Sequence, residues 1–449
     1  MENINETLRK IPKLDKLLAR DEFSGLNTGL LKHAARNTLD ALRAEIQSGK
    51  ELPSDIKLIE RIISEYIKLH KGSLYKVINA TGVPIHTNLG RSPISSEILK
   101  EASDISAGYS NLEYDVEKGK RGDRYHHAAE YLRMLTGAED AVVVNNNASA
   151  VFLILNTFAN KKSVIVSRGE LVEIGGSFRV PDVMSRSGAK LTEVGTTNKT
   201  RITDYTDAVS ASTAMMMKVH KSNYEIVGFS EEASLDEIAS AAKDTGVLSY
   251  YDAGSGLFTK TVSEAVCADH TIPEISAKGF DLISFSGDKM LGACQAGIII
   301  GKSDLIKKIK KNPLMRMLRV DKLTLAILQA TFRRYIENSQ ADIPVNGMLS
   351  ADIDTLRQKA EKLSAMINAE TEIIPAKSTI GGGSCPLSEI DSFAVALISA
   401  KKPTAVEKAL RRADTPVIAR IADERVILDI RTIDESEFAD TARAAEGAI

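Results

Sequence analysis

A mostly parallel α/β sheet with helices on both faces, preceded by a helical bundle and followed by a small α+β domain, is the architecture this sequence predicts. Three observations carry that expectation. Seven short apolar runs recur between residues 141 and 300, and helical segments separate several of them. Apolar strands alternating with helices belong to a sheet covered on both faces. The first 75 residues place their apolar side chains at helical spacing. With 449 residues the chain exceeds what one core holds, so two or three domains are expected.

Residues 1–75 read as helices, with apolar positions at Leu17 and Leu18, Leu30 and Leu31, Leu39 and Leu42, and along Ile59, Ile62, Ile63 and Ile67. Pro53 and Gly72 punctuate them. Residues 76–339 read as the large domain. Its strands are expected at Ala141-Val-Val-Val-Asn145, Ser163-Val-Ile-Val-Ser167, Lys190-Leu-Thr-Glu-Val194, Ala214-Met-Met-Met-Lys-Val219, Val247-Leu-Ser-Tyr-Tyr251, Asp281-Leu-Ile-Ser-Phe285 and Ala296-Gly-Ile-Ile-Ile300. Ser234-Leu-Asp-Glu237 has the form of a capping box and opens a helix. A helical stretch over 321–337 leads to residues 340–449, the small α+β domain, where Val426-Ile-Leu-Asp-Ile-Arg431 reads as a strand.

Hydrophobic residues at 43% and charged residues at 26% are ordinary globular values. No stretch is long and apolar enough to span a bilayer, and the N-terminus has no signal-like apolar segment. Cys267, Cys294 and Cys385 are odd in number and lack metal-ligand spacing, so a reducing cytoplasm is expected. The seven histidines make no zinc pattern either, no metal is expected, and His126-His127 reads as a helix start. The net charge of −2 gives no overall electrostatic case for nucleic acid. The first 75 residues hold 13 Lys/Arg against 11 Asp/Glu, which permits an RNA surface without demanding one.

The chemistry concentrates at strand ends. One strand closes on Asp252, and a later one delivers Lys289 through Ser284-Phe-Ser-Gly-Asp-Lys289. An acid and a lysine so placed are what pyridoxal phosphate enzymes use: the lysine carries the cofactor, and the acid keeps the pyridine nitrogen protonated. Two ordinary strand ends with polar residues would look the same. Asn145-Asn-Asn-Ala-Ser-Ala150 lies between a strand and a helix expected from Ala148 to about residue 156. Asn146, Asn147, Ala148 and Ser149 there suit the cofactor phosphate, since a helix start offers free N–H groups. Ser286 would add a donor. Glu170 and Glu173 are placed to reach the cofactor ring or an amine, or equally to sit at a solvated helix start. His220 would stack on the cofactor or hydrogen-bond it, unless it is an ordinary loop histidine.

Arginines cluster at Arg91, at Arg121 with Arg124, and at Arg316 with Arg319. The last two, three apart, are expected on one helix face, where paired guanidiniums suit an oxyanion. A solvated basic helix face is the alternative.

Together these segments resemble the bacterial selenocysteine synthases, the L-seryl-tRNA(Sec) selenium transferases, which are pyridoxal phosphate enzymes of fold type I. The carriers are Val77-Ile-Asn-Ala-Thr-Gly-Val-Pro-Ile-His-Thr-Asn-Leu-Gly-Arg91, Arg121-Gly-Asp-Arg-Tyr125, Val144-Asn-Asn-Asn-Ala148, Val219-His-Lys-Ser-Asn-Tyr-Glu-Ile-Val-Gly-Phe229, Phe285-Ser-Gly-Asp-Lys-Met-Leu-Gly292 and Gln295-Ala-Gly-Ile-Ile299. Ile380-Gly-Gly-Gly-Ser384 and Leu428-Asp-Ile-Arg-Thr432 also match.

The resemblance implies that Lys289 carries the cofactor as an internal aldimine. The seryl group of seryl-tRNA(Sec) then loses its α-proton and β-hydroxyl, giving an aminoacrylyl intermediate to which selenophosphate supplies selenium. Arg91, Arg316 and Arg319 would bind selenophosphate, and Asp288 would assist catalysis. The resemblance also implies a homodecamer, a pentamer of dimers, with tRNA held by residues 1–75. This chain departs from the family at Ala293-Cys294, where Gly-Pro is commoner, at Lys221, where threonine or arginine is common, and at Asp123, where serine is frequent. None of these removes a proposed catalytic group. Cys294 beside the cofactor lysine is either redox-sensitive or a small packed residue. Two other functions fit the residues: a pyridoxal phosphate lyase or transferase on a small amino acid or amino-sugar acid, and a non-catalytic tRNA-binding scaffold. The N-terminal helices speak for tRNA, and the intact lysine, acid and arginines speak against the scaffold.

Overall fold

The computed structural model describes residues 2–174, 178–221, 223–260, 269–385 and 388–449. The chain forms two compact units, Met1–Val77 and Ile78–Ile449. The first contains α1 (Glu2–Arg9), α2 (Leu14–Leu18), α3 (Thr28–Gln47) and α4 (Asp55–Lys71). Helix α3 starts where Asn27 Oδ1 accepts the Leu30 N–H, and α4 where Ser54 Oγ accepts the Lys57 N–H. Gly72, at φ 77°, stops α4 in a conformation that costs a glycine little. Leu31, Ala35, Leu39, Leu42 and Ile46 bury one face of α3 against Leu58 and Ile62 of α4. Each fully buried leucine or isoleucine is worth about 1.5–3 kcal/mol, which holds so small a bundle together.

The second unit is built on a seven-stranded sheet. Its strands are β1 (Asp140–Val144), β2 (Ser163–Ser167), β3 (Lys190–Val194), β4 (Thr213–Val219), β5 (Leu248–Asp252), β6 (Leu282–Ser286) and β7 (Gly297–Gly301). They lie in the order β1-β7-β6-β5-β4-β2-β3. All pairings are parallel except those of β7, which runs antiparallel to β6 and to β1. The apolar runs are buried on both faces because side chains alternate along a strand. Ala141 and Val143 enter one core while Val142 and Val144 enter the other. The predicted capping box at Ser234 forms, and His126 opens the helix His126–Thr136.

Residues 340–449 carry an antiparallel sheet of β8 (Thr371–Thr379), β9 (Glu389–Leu397), β10 (Arg420–Ala422) and β11 (Arg425–Asp429), ordered β8-β9-β11-β10, over its own apolar cluster. Strand β11 ends at Asp429, two residues short of expectation. The wholly buried Asp429 carboxylate accepts the Ser378 and Ser392 hydroxyls and the Arg431 N–H, and so starts the 3₁₀ turn Ile430–Thr432. The same turn receives the segment that leads to Arg91, because the Gly82 N–H donates to Thr432 Oγ1 at 3.0 Å.

No helix among the described residues is long and apolar enough to cross a membrane. Cys294 is a free thiol and Cys267 lies outside the described residues, whereas Cys385 is disulfide-bonded, a departure from the reduced cysteines expected of the sequence. Burial pushes the Cys294 thiol up to about 12, and its Sγ faces the Thr324 carbonyl at 3.7 Å. Because the thiolate is the reactive form, that shift disfavours oxidation of Cys294 at neutral pH.

Candidate active site

The carboxyl ends of β4, β5 and β6 lie side by side, with Asp252 paired in register to Val219 and to Ser284. Strand β1 ends two strands further on, across β7. Four loops therefore open on one rim, where an α/β sheet binds its ligands. They carry Asn145–Asn147 from β1, His220 from β4, Asp252 from β5 and Lys289 from β6.

Asp252 is buried, and its Oδ1 accepts Asn147 Nδ2 at 2.7 Å and the Gly254 N–H at 3.1 Å. Its Oδ2 accepts no hydrogen bond among the described residues. Burial pushes the Asp252 carboxyl up, against the pull of those two donors and of Lys289. Lys289 is also buried, and its ammonium has no hydrogen-bond partner among the described residues. Burial lowers the Lys289 pKa, with Asp252 opposing that shift. The result is an amine more easily neutral than a surface lysine. The chain after β6 folds back tightly, and Gly256 lets it. A Cβ there would stand 2.7 Å from the Ser286 carbonyl oxygen, at a φ of 72°.

Asp288 pairs with Arg91, Nη1 to Oδ2 at 2.5 Å, and the Ser92 N–H donates to the Asp288 carbonyl. Arg91 takes a φ of 65°, unusual for a residue with a Cβ. That strain, about 1–2 kcal/mol, is held where the side chain meets the residue next to Lys289, the kind of place where strain accompanies function.

Asn146 caps the helix Asn147–Phe158, its Oδ1 accepting the Ser149 N–H at 2.8 Å, so the helix begins one residue ahead of expectation. Asn147 does something the sequence did not suggest. Its side chain orients Asp252, leaving the backbone at the helix start for an anion. Gly297 lies directly beneath, where a Cβ would come 2.1 Å from the Asn146 carbonyl oxygen. Ser286 closes β6, with its side chain free of hydrogen bonds among the described residues.

His220 donates its backbone N–H to the Asp252 carbonyl, and its Nε2 lies 3.1 Å from Asp269 Oδ2. Asp269 was not legible in the sequence, standing alone between segments without periodicity. Glu170 does not face the rim. Its Oε1 takes the Lys218 ammonium at 2.9 Å and its Oε2 the Val219 N–H, in a buried ion pair at the end of β4. Burial works against the Lys218 charge, but Glu170 and Glu232 outweigh it and hold its pKa above the ordinary value. Glu173 is exposed and paired with Arg179. Both glutamates are thus committed elsewhere. In the strings around them, Gly176 and Ser222 lie outside the described residues.

Arg316 and Arg319 come together, but not on one helix face. The helix Met315–Leu318 ends before Arg319, which is extended because Leu318 and Arg319 pair with the end of β1. The two arginines line a cavity of about 310 Å³ with Arg121, Arg124, Lys310 and Glu113. Arg91 is not among its lining residues. Among the described residues no group of His, Cys, Asp and Glu could hold a metal ion.

The donor set fits pyridoxal phosphate. It offers a buried, partnerless amine, a buried carboxylate with one oxygen uncommitted, and a helix start with an adjoining serine. Two further buried atoms, Asn147 Oδ1 and His220 Nδ1, have no hydrogen-bond partner among the described residues.

Comparisons with known proteins agree. The family model described as L-seryl-tRNA selenium transferase matches residues 77–434. The chain is 48% identical over 434 residues to the L-seryl-tRNA(Sec) selenium transferase of Aliarcobacter butzleri (strain RM4018), covering 96% of each chain. It is 46% identical to the enzyme of the same name from Sulfurimonas denitrificans (strain ATCC 33889 / DSM 1251), covering 98% of each. It is also 46% identical to that of Aquifex aeolicus (strain VF5), covering 95% of each. Among solved structures, that of a D-glucosaminate-6-phosphate ammonia-lyase shares the fold, with a TM-score of 0.60 at 21% identity over 84% of this chain and 96% of that one.

Proposed function

The chain belongs to the L-seryl-tRNA selenium transferase family, and on that premise we propose how its residues divide the work of turning L-seryl-tRNA(Sec) into L-selenocysteinyl-tRNA(Sec). The enzyme uses pyridoxal phosphate on a fold type I scaffold. When bound, that cofactor supplies the electron sink that makes loss of the serine α-proton and β-hydroxyl accessible at neutral pH. Lys289 would hold it covalently. Asp252, fixed by Asn147, would keep a proton on the ring nitrogen through its free Oδ2. The helix start at Asn146, Asn147, Ala148 and Ser149, together with Ser286, would take the phosphate, and His220 the ring. Asp288, aligned by Arg91, would pass a proton to the departing hydroxyl. Arg91, Arg316 and Arg319 would bind selenophosphate, a tetrahedral oxyanion suited to guanidinium forks. In one chain no described contact joins Arg91 to the other two arginines. The family resemblance is what supports a homo-oligomer, a decamer of paired subunits, in which a second copy would complete the site. Residues 1–75 would hold the tRNA, and the cytoplasm, where charged tRNA is used, would be the compartment.

The observation that carries this assignment is the buried Lys289, without a hydrogen-bond partner among the described residues, beside the buried Asp252 on one sheet rim. The deciding experiment is turnover of seryl-tRNA(Sec) with selenophosphate, with free serine and seryl-tRNA(Ser) as controls. Selenium should appear only on the cognate tRNA. Transfer to free serine would instead favour a small-substrate enzyme.

A pH dependence follows from the two buried groups. Cofactor capture needs the neutral Lys289 amine, and Asp252, more than Asp288, is the charge that raises that amine's pKa. Asp252→Asn should therefore move the pH profile of pyridoxal phosphate uptake by the apoprotein to lower pH, read from visible absorbance. A shift to higher pH would contradict the pairing.

A further inference from the structure

Two acids line the cavity of Arg316 and Arg319: Asp123, whose Oδ1 accepts the Tyr125 N–H, and Glu113, which three guanidiniums share. Glu113 Oε1 accepts Arg124 Nε at 2.7 Å and Arg124 Nη2 as well, Arg121 Nη2 lies 3.3 Å from Oε2, and Arg319 Nη1 stands 3.9 Å from Oε1. The third Arg124 nitrogen, Nη1, donates to the Val320 carbonyl at 2.9 Å, so its whole fork is engaged and only 11% of the side chain is exposed. Lys310 is likewise taken, by Asp140 at 2.9 Å. Arg316 makes no ion pair among the described residues, and Arg319 keeps only the long contact to Glu113. Of the five cations lining the cavity, Arg124 and Lys310 are therefore committed to acids, Arg121 is largely exposed with one nitrogen on Glu113, and Arg316 and Arg319 are the least engaged.

We infer that Glu113 is a positioning residue for the selenium donor. It locks Arg124 onto the backbone at Val320, one residue after Arg319, and so fixes where the Arg319 guanidinium leaves the chain. The inference rests on Arg316 and Arg319 being the donor's oxyanion site. Two guanidiniums recognise a tetrahedral oxyanion by direction as well as charge, so a displaced Arg319 loses binding even with its charge intact. Were Glu113 only a nearby negative charge, it would oppose an incoming anion, and removing it would tighten binding.

The test varies selenophosphate at saturating seryl-tRNA(Sec) with the full-length, cofactor-loaded enzyme, and uses inorganic phosphate as a competing anion. Glu113→Asp keeps the charge but is too short to span its partners, whereas Glu113→Gln keeps the length and loses the charge. Both should raise the KM for selenophosphate and the inhibition constant of phosphate about tenfold, with kcat within about twofold, because a misplaced binding group costs binding on this scale. A lower KM in Glu113→Gln, or a fall in kcat alone in both variants, overturns the inference. Arg316→Ala separates the two levels. If it raises KM while neither Glu113 variant does, only the role of Glu113 falls. If it leaves KM unmoved, the oxyanion site falls with it.

Discussion

Lys289→Ala should abolish selenium transfer, by about 10⁴–10⁶-fold, while tRNA binding survives. Removing a group that acts covalently or as acid and base in every turnover is felt on that scale. The fold should not suffer. The local chain is held by backbone bonds, the Met290 N–H to the Ser255 carbonyl and the Gly292 N–H to the Lys289 carbonyl, and neither needs the side chain. The lost ammonium had no hydrogen-bond partner among the described residues and was disfavoured by burial, so the variant apoprotein should melt no lower than the wild-type apoprotein. Three measurements on one sample separate the outcomes: selenium incorporation, the visible absorbance of the lysine-bound cofactor, and seryl-tRNA(Sec) affinity. Retained turnover would end the assignment of Lys289. Loss of tRNA affinity alongside turnover would mean that the lysine region also shapes the RNA site.

The strands and their layering were legible because they follow from local periodicity. All seven apolar runs became strands of one sheet, and the single antiparallel strand, β7, follows from the short return after Lys289. Asp252 and Lys289 were legible for the same reason, since each closes or follows a strand whose end defines the rim. What the sequence hid were pairings across long separations. Asn147 lies 105 residues from Asp252, Glu170 lies 48 from Lys218, and Arg91 lies 197 from Asp288. No spacing rule connects such residues, so Glu170 looked available when both of its oxygens were committed, and nothing in the sequence showed that the Asn147 side chain serves Asp252 while its backbone stays at the helix start. Arg319 was misplaced for a related reason. Helical spacing put it on a face with Arg316, but the pull of the β1 end on Leu318 and Arg319 ended the helix first.

Deleting residues 1–77 should cost at least about 10²-fold in seryl-tRNA(Sec) affinity, or about 2.7 kcal/mol, and leave cofactor binding intact. Each unit carries its own apolar core. Leu31, Leu39, Leu42 and Ile62 fill the first, and the five further clusters among the described residues fill the second without any residue of the bundle. The groups proposed to hold the cofactor all lie beyond residue 140, so the shortened chain should still take up pyridoxal phosphate and show its visible absorbance. The proposed RNA surface would draw on exposed lysines of the bundle. Lys68 and Lys71 occupy the last turn of α4 and are exposed. Contacts of this kind release counterions, so the affinity that the bundle supplies should fall steeply with salt, whereas the residual binding of the shortened protein should respond less. Affinity measured for both proteins at two salt concentrations, beside cofactor absorbance, tests the whole expectation. If the shortened protein binds seryl-tRNA(Sec) as tightly as the full chain, the RNA site belongs to the sheet unit, and the bundle's charges are only a solvated face.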